Sequence, residues 1–312
     1  MSTSGERAAD LGYAAGWRLV RTLPAPLARA AFDRGADLAA RRDGPGVRRL
    51  RANLARVRPE ASPAELEALV AAGMRSYARY WREAFRLPAM DLDALADRVD
   101  PVMEGLEHLT TALDAGRGAV VALPHSGNWD VAGAWAARRF GGFTTVAERL
   151  RPESLYDRFV AYRESLGFEI LPMTGGDSPV RGLLRALRAG RIVCLLADRD
   201  LSAHGVGVDF FGARTSMPPG PATLAAATGA PLLPTAGWFT GGPGSGEGWG
   251  FRIHAPVPVP DRAAVPAATQ AMADRFAADV AAHPADWHML QRVWPDLGPR
   301  SAHQATGSSS TP

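Results

Sequence analysis

From about Gly118 the chain alternates short apolar runs with short helix-type segments, and this alternation constrains the fold more than any other feature. "GAVVALP" from Gly118, "FTTVAERL" from Phe143, "FEILPM" from Phe168, "RIVCLLAD" from Arg191 and "PLLPTAGWF" from Pro231 read as strands. Between them, "NWDVAGAWAARRF", "PESLYDRFVAYRESLG", "SPVRGLLRALRAG" and "PPGPATLAAATGA" read as helices. Gly167 and Gly190 supply stop signals, and Ser178 with Pro179 supplies a cap and first position. Apolar strands alternating with helices imply an α/β fold, with a largely parallel central sheet and helices on both faces. Ligands of such sheets bind beyond the carboxyl ends of the strands. His125 and Asp198 each directly follow a strand, which puts both at that edge.

The N-terminal third reads as helical. In the segment Asp10–Arg42, Leu11, Trp17, Leu19, Val20, Leu23, Leu27 and Phe32 mix with arginines, and Pro24 and Pro26 divide it. Arginine beside tryptophan and leucine suits an amphipathic helix lying on a membrane; a helix packed on the body with solvated arginines is the other reading. In "SPAELEALVAAGMRSYARYWREAFRL", Ser62, Pro63 and Glu65 form a capping box. Residues 1–100 are thus expected to form a helical, membrane-docking region, 101–296 the α/β domain, and 297–312 a disordered tail.

Composition narrows the partners. The 312-residue chain carries a net charge of +3, and its 35 basic residues are all arginine. The arginine count suits planar binding of phosphates, but the arginines are interleaved with acids, which argues against nucleic acid. The single cysteine, Cys194, lies in an apolar run, so a disulfide framework or Cys-based zinc site is excluded. No apolar stretch approaches the ~18 residues of a membrane span, and no secretory signal is visible. A cytosolic chain is expected, with membrane-surface binding open. The glycines of "GWFTGGPGSGEGWGFRI" open no helix, so they read as a hairpin connection and not as a phosphate loop.

The chemistry centres on "HSGNWD", His125 to Asp130. Residues i and i+5 lie on different helix faces, so the two can meet only if His125 sits in the turn and Asp130 points back from the first helical turn. A neutral imidazole can accept a proton from an attacking alcohol, and a carboxylate on its other nitrogen fixes the tautomer. The plainer alternative is a packed strand-end histidine and an aspartate favouring a helix N-terminus. Ser126 lacks a "GxSxG" elbow and is not read as a nucleophile. His204 and His288 could be ligands, but structural roles fit them better. No metal is assigned to His125, Asp130, Asp198 and Asp200.

"HSGNWD" resembles the H-x4-D motif of glycerolipid acyltransferases in their lipid A acyltransferase branch. "RESLGFEIL", "LLADRDLSAHGVGVDFFG", "TSMPPGPATLAAATGAPLLP" and "DWHMLQRVWPD" extend the resemblance over most of the chain. Within that branch the combination looks most like actinobacterial phosphatidylinositol mannoside acyltransferases. The resemblance implies transfer of an acyl chain from acyl-CoA, a co-substrate and not a resident cofactor, to a mannose hydroxyl of phosphatidylinositol mannoside or a similar glycolipid. The setting it implies is the inner face of the plasma membrane, with the protein peripheral. His125 would be the general base and Asp130 its orienting partner. Asp198, or alternatively Asp200, would join the catalytic set, and Arg163 and Arg199 would contact substrate phosphate or CoA. Asp200 could equally cap the "RDLS" turn. Alternatives are a related enzyme using acyl carrier protein or another lipid acceptor, a thioesterase-type hydrolase, and a non-catalytic lipid-binding protein.

Overall fold

A computed structural model describes residues 17, 19–147, 153–172, 178–200, 204–241 and 246–295. The tail at 297–312, the residues before Trp17 and part of the "GGPGSGEG" connection lie outside them.

Three helices come first: α1 (Ala25–Arg42), α2 (Pro45–Val57) and α3 (Pro63–Arg86). Pro24 takes the N-cap of α1 and Pro26 falls in its first turn, so only Pro24 breaks the helical run. The Ser62–Glu65 capping box at α3 is present in both directions. After α4 (Leu92–Val99) come β1 (Met103–Glu104), α5 (Leu106–Asp114), β2 (Ala119–Leu123), α6 (Trp129–Phe140), β3 (Phe143–Ala147), α7 (Glu153–Glu164) and β4 (Phe168–Pro172). Then follow α8 (Pro179–Arg188), β5 (Ile192–Leu196), β6 (Val206–Phe210), β7 (Ala213–Met217), α9 (Gly220–Thr228), β8 (Leu232–Thr240), β9 (Gly248–Ile253) and α10 (Val265–Ala282). Ser178 holds the N-cap position of α8 without a side-chain hydrogen bond to the helix, and Gly190 follows its end at φ 72°.

Seven strands form one sheet in the order β1-β9-β8-β2-β5-β3-β4, parallel except for the β8–β9 pair. The chain runs from β2 out to β3 and β4, then returns to insert β5 between β2 and β3. Alternate residues of β2 feed two cores. Val120 and Ala122 pack on one face with Val193, Leu195 and helices α8 to α10; Ala119 and Val121 pack on the other with Val131, Trp135 and Phe168. Burial on both faces explains why these strands are apolar runs. The β8–β9 pair is the hairpin expected from the glycine-rich connection. A second hairpin, β6–β7, turns at Phe211 and Gly212, both with positive φ.

The N-terminal helices pack on the body. The Trp17 indole donates to the Phe85 carbonyl at 3.2 Å and its ring lies 5.0–5.5 Å from Phe85, Phe159 and Tyr162. Trp17 is therefore half-buried packing, not an outward anchor, because an indole gains both apolar contact and a hydrogen-bond acceptor there. Leu19 and Leu27 do face solvent, at 58% and 59% exposure. No helix of the described residues is long and apolar enough to cross a membrane.

Candidate active site

The parallel neighbours β2 and β5 end at the same level, with Leu123 in register with Leu196 and the Ala197 amide donating to the Leu123 carbonyl at 2.8 Å. The residues just beyond them are His125 and Asp198. Nδ1 of His125 lies 2.5 Å from Oδ1 of Asp198. Oδ2 of the same carboxylate accepts the His125 backbone N–H and the Trp287 indole N–H, each at 2.9 Å. Asp198 is fully buried. Burial pushes its carboxyl up, but the His125 charge and ring hydrogen bond, the indole and the backbone N–H outweigh that and hold it below the ordinary carboxylate range. In the neutral ring this arrangement puts the proton on Nδ1 and leaves Nε2 as the basic nitrogen.

Asp130 does not orient the ring. It lies in the first turn of α6, buried, where Oδ1 accepts Nε of Arg163 at 2.9 Å and Oδ2 accepts the Tyr80 hydroxyl at 2.8 Å. The expectation of a His125–Asp130 pair fails because a closer carboxylate, supplied by the adjacent strand, already occupies Nδ1. Arg163 is correspondingly committed to an ion pair. Burial pulls its guanidinium down, yet the Asp130 charge more than compensates and the net shift is upward. Tyr80 is held protonated, first by burial and then by the Asp130 charge, so it remains a donor.

The rest of "HSGNWD" is equally pinned. Gly127 has φ 59°, and a Cβ there would come within 2.5 Å of the Gly237 backbone; only glycine meets both demands. Asn128 caps α6 through Oδ1 to the Val131 N–H at 3.1 Å, and its amide donates to Glu83 at 2.8 Å. Glu83, from α3, also accepts the Trp249 indole and Arg79. From the C-terminal segment, the Asp286 carbonyl accepts the Gly127 N–H at 3.0 Å and the His288 N–H donates to the His125 carbonyl at 2.7 Å. Sequence reasoning missed Tyr80 and Glu83, for which the charged residues set among aromatics in "YARYWREAF" are the one local signal, and it assigned no contact with the motif to Asp286–His288.

The other candidates separate. Arg199 lines the same cavity as His125, Asp130 and Arg163. Asp200 accepts the Gly205 N–H at 2.9 Å and the Ser216 hydroxyl at 3.2 Å; the Leu201–Ser202 part of the "RDLS" turn lies outside the described residues. His288 is buried with Nε2 on the Ser76 hydroxyl at 2.8 Å, and burial, reinforced by His125, lowers its imidazole to about 3. Among the described residues no group of three or more His, Cys, Asp or Glu is placed to hold a metal ion.

The cavity itself has a volume of about 190 Å³ and lies between α6 and the sheet. Apart from His125, Asp130, Arg163 and Arg199, its wall is mostly apolar, including Val121, Ala136, Phe143, Phe168, Ile192 and Phe251. The Cys194 thiol on its wall is pushed up to about 12 by burial, so it is no thiolate nucleophile. The site thus joins a carboxylate-held imidazole to an apolar pocket, an arrangement suited to moving an acyl group.

Comparison with known proteins gives this class a family. Residues 6–295 match the family profile described as Bacterial lipid A biosynthesis acyltransferase, and the chain belongs to that family of acyltransferases. It is 55% identical over 291 residues, 93% of this chain and 92% of the other, to a phosphatidylinositol mannoside acyltransferase of Mycolicibacterium smegmatis. It is 57% identical over 288 residues, covering 92% and 89%, to a protein of that name from Mycobacterium tuberculosis (strain CDC 1551 / Oshkosh).

Proposed function

We propose that this protein transfers a long acyl chain from acyl-CoA to a mannose hydroxyl of phosphatidylinositol mannoside, with His125 as general base. The observation that carries the reading is His125 itself, whose ring is held by Asp198 at Nδ1 and borders the apolar cavity. Nε2 takes the proton of the acceptor hydroxyl as its oxygen attacks the thioester carbonyl carbon. The tetrahedral intermediate collapses by breaking the C–S bond, and the imidazolium returns the proton to the departing thiolate. Asp198 stays ionised and stabilises the imidazolium. No covalent enzyme intermediate is required. The acyl tail would lie in the cavity, whose wall gains contact with each methylene it removes from water, about 0.8 kcal/mol each.

The names of the relatives support the acceptor. Arg163, which is paired with Asp130, and Arg199 both line the cavity wall and are the candidates for contact with the phosphates of CoA. Exposed Leu19 and Leu27 beside the arginines of α1 support docking at the anionic inner face of the plasma membrane. The test is mass spectrometry of products formed from mixed acyl-CoAs, acyl carrier protein thioesters and candidate lipid acceptors. An acylated mannoside made from acyl-CoA is the expected result. Preference for the carrier protein, for another acceptor, or for free fatty acid would overturn the donor, the acceptor or the transferase reading respectively.

A further inference from the structure

We infer that Trp287 is a positioning residue for the base: its indole N–H holds the Asp198 carboxylate in the orientation that presents Oδ1 to His125. This rests on the reading of His125 as general base. A carboxylate turns readily about its last torsion, which is broad and two-fold, so its direction must be set by donors. Here two donors, the indole and the His125 backbone N–H, converge on Oδ2, and Oδ1 is left for the ring. The indole cannot swing away, because Trp287 is fully buried with Phe210 at 6.0 Å and Trp294 at 6.2 Å.

The same segment grips the base through its backbone. Ser126 and Trp287 form an antiparallel bridge, flanked by the hydrogen bonds from Gly127 to Asp286 and from His288 to His125. One short stretch, Asp286–His288, therefore locates the base by its main chain and the carboxylate by a side chain. Among the described residues, His288 faces His125 from this segment, and Asp130, Arg163, Cys194 and Arg199 line the cavity that His125 enters.

Replacing the indole by a phenyl ring leaves Oδ2 with one donor fewer. More of the carboxylate charge then falls on the imidazolium, so the His125 ring takes up its proton at higher pH, while the carboxylate turns more freely and proton transfer slows. Trp287→Phe should raise the midpoint of the His125 ring titration by about half a pH unit or more and lower kcat roughly tenfold. The control is Trp294→Phe, a neighbouring buried indole that donates to the Phe210 carbonyl and does not touch Asp198. The titration is followed by NMR, with the His125 signal identified by its loss in His125→Gln.

A shift confined to Trp287→Phe supports the inference. An unmoved midpoint in that variant, or an equal shift in both tryptophan variants, overturns it. Should Trp287→Phe fail to fold, the wild-type protein decides: the Trp287 indole N–H resonance must follow the His125 titration, and an indole signal indifferent to it overturns the inference. Full acyl-transfer activity in His125→Gln would instead sink the general-base reading and leave these NMR measurements standing.

Discussion

His125 and Asp198 lie 73 positions apart in the chain, yet Nδ1 of one stands 2.5 Å from Oδ1 of the other. The pairing puts Asp198 in the place expected of Asp130 from the motif, because only Asp198 touches the ring. Asp198→Asn should therefore lower acyl transfer by roughly 10²–10⁴-fold, because the amide can favour the wrong tautomer and cannot stabilise the imidazolium. Single-turnover rates with saturating acyl-CoA would measure it. A rate within threefold of wild type would remove Asp198 from the mechanism.

Asp130 and Arg163 should behave as one structural unit. Removing either partner strands a charge in a largely buried site, which costs about 3–5 kcal/mol in fully buried pairs; Arg163, with a fifth of its side chain exposed, should fall at the low end. In a double-mutant cycle, Asp130→Ala and Arg163→Ala should each destabilise, and the double variant should cost less than their sum. Urea unfolding is the measurement. Strict additivity would show the pair to be uncoupled.

These two predictions mark where the sequence stops being informative. Strand–helix alternation, the capping box and the strand-end positions of His125 and Asp198 are all local patterns, and the structure bears them out. Which carboxylate meets the ring is not local. It depends on β5 returning to lie beside β2, a choice of strand order that leaves no mark in either strand. Asp130 attracted attention because it is close in sequence, but the helix turn carries it toward Tyr80 and Arg163. Tyr80, Glu83 and Trp287 were hidden for the same reason: each reaches the motif from an element packed against it through long-range contacts. The β6–β7 hairpin is readable in principle, from the alternation in "VGVDF" and the turn at Phe211–Gly212.

Cavity length should govern donor choice. Ala136 lines the pocket and is itself buried, so Ala136→Leu places three extra carbons in the space proposed for the acyl tail. The variant should favour shorter acyl-CoAs, losing roughly tenfold or more in kcat/KM for long donors while retaining short ones; overpacking typically costs about 1–3 kcal/mol. A competition assay with donors of graded length reads the shift. An unchanged ranking would mean the tail lies elsewhere.

His288 should make stability pH-dependent. Its imidazole ordinarily titrates near 6.5 and is lowered to about 3 in the fold, chiefly by burial. A depressed folded value means that the unfolded chain binds the proton and the folded chain does not. Stability is then fully present above pH 6.5 and falls with acidification, by about 1.4 kcal/mol per pH unit for this one group. His288→Gln, measured by urea unfolding between pH 7 and 5, should show a correspondingly flatter decline. Identical slopes would exclude His288 as the source.

Membrane docking should depend on exposed leucines more than on Trp17. Leu19→Ser with Leu27→Ser should weaken sedimentation with anionic vesicles while leaving the melting temperature within about 2 °C, because both side chains are exposed. Trp17→Ala should act in the opposite sense, lowering stability more than vesicle binding. Equal sedimentation of the double variant and wild type would remove α1 and its approach from the membrane contact.

The alignment of β2 with β5 also acts as a length gauge. A slip of one residue between these strands would displace Asp198 by about 3.3 Å along the strand and turn the side chains of the slipped strand to the other face. Hydrogen-bond reach tolerates only a few tenths of an ångström. The distance over which the proton is shared is thus inherited from backbone pairing far below the substrate, so a molecule that misassembles by one rung would be inert even if it stayed compact.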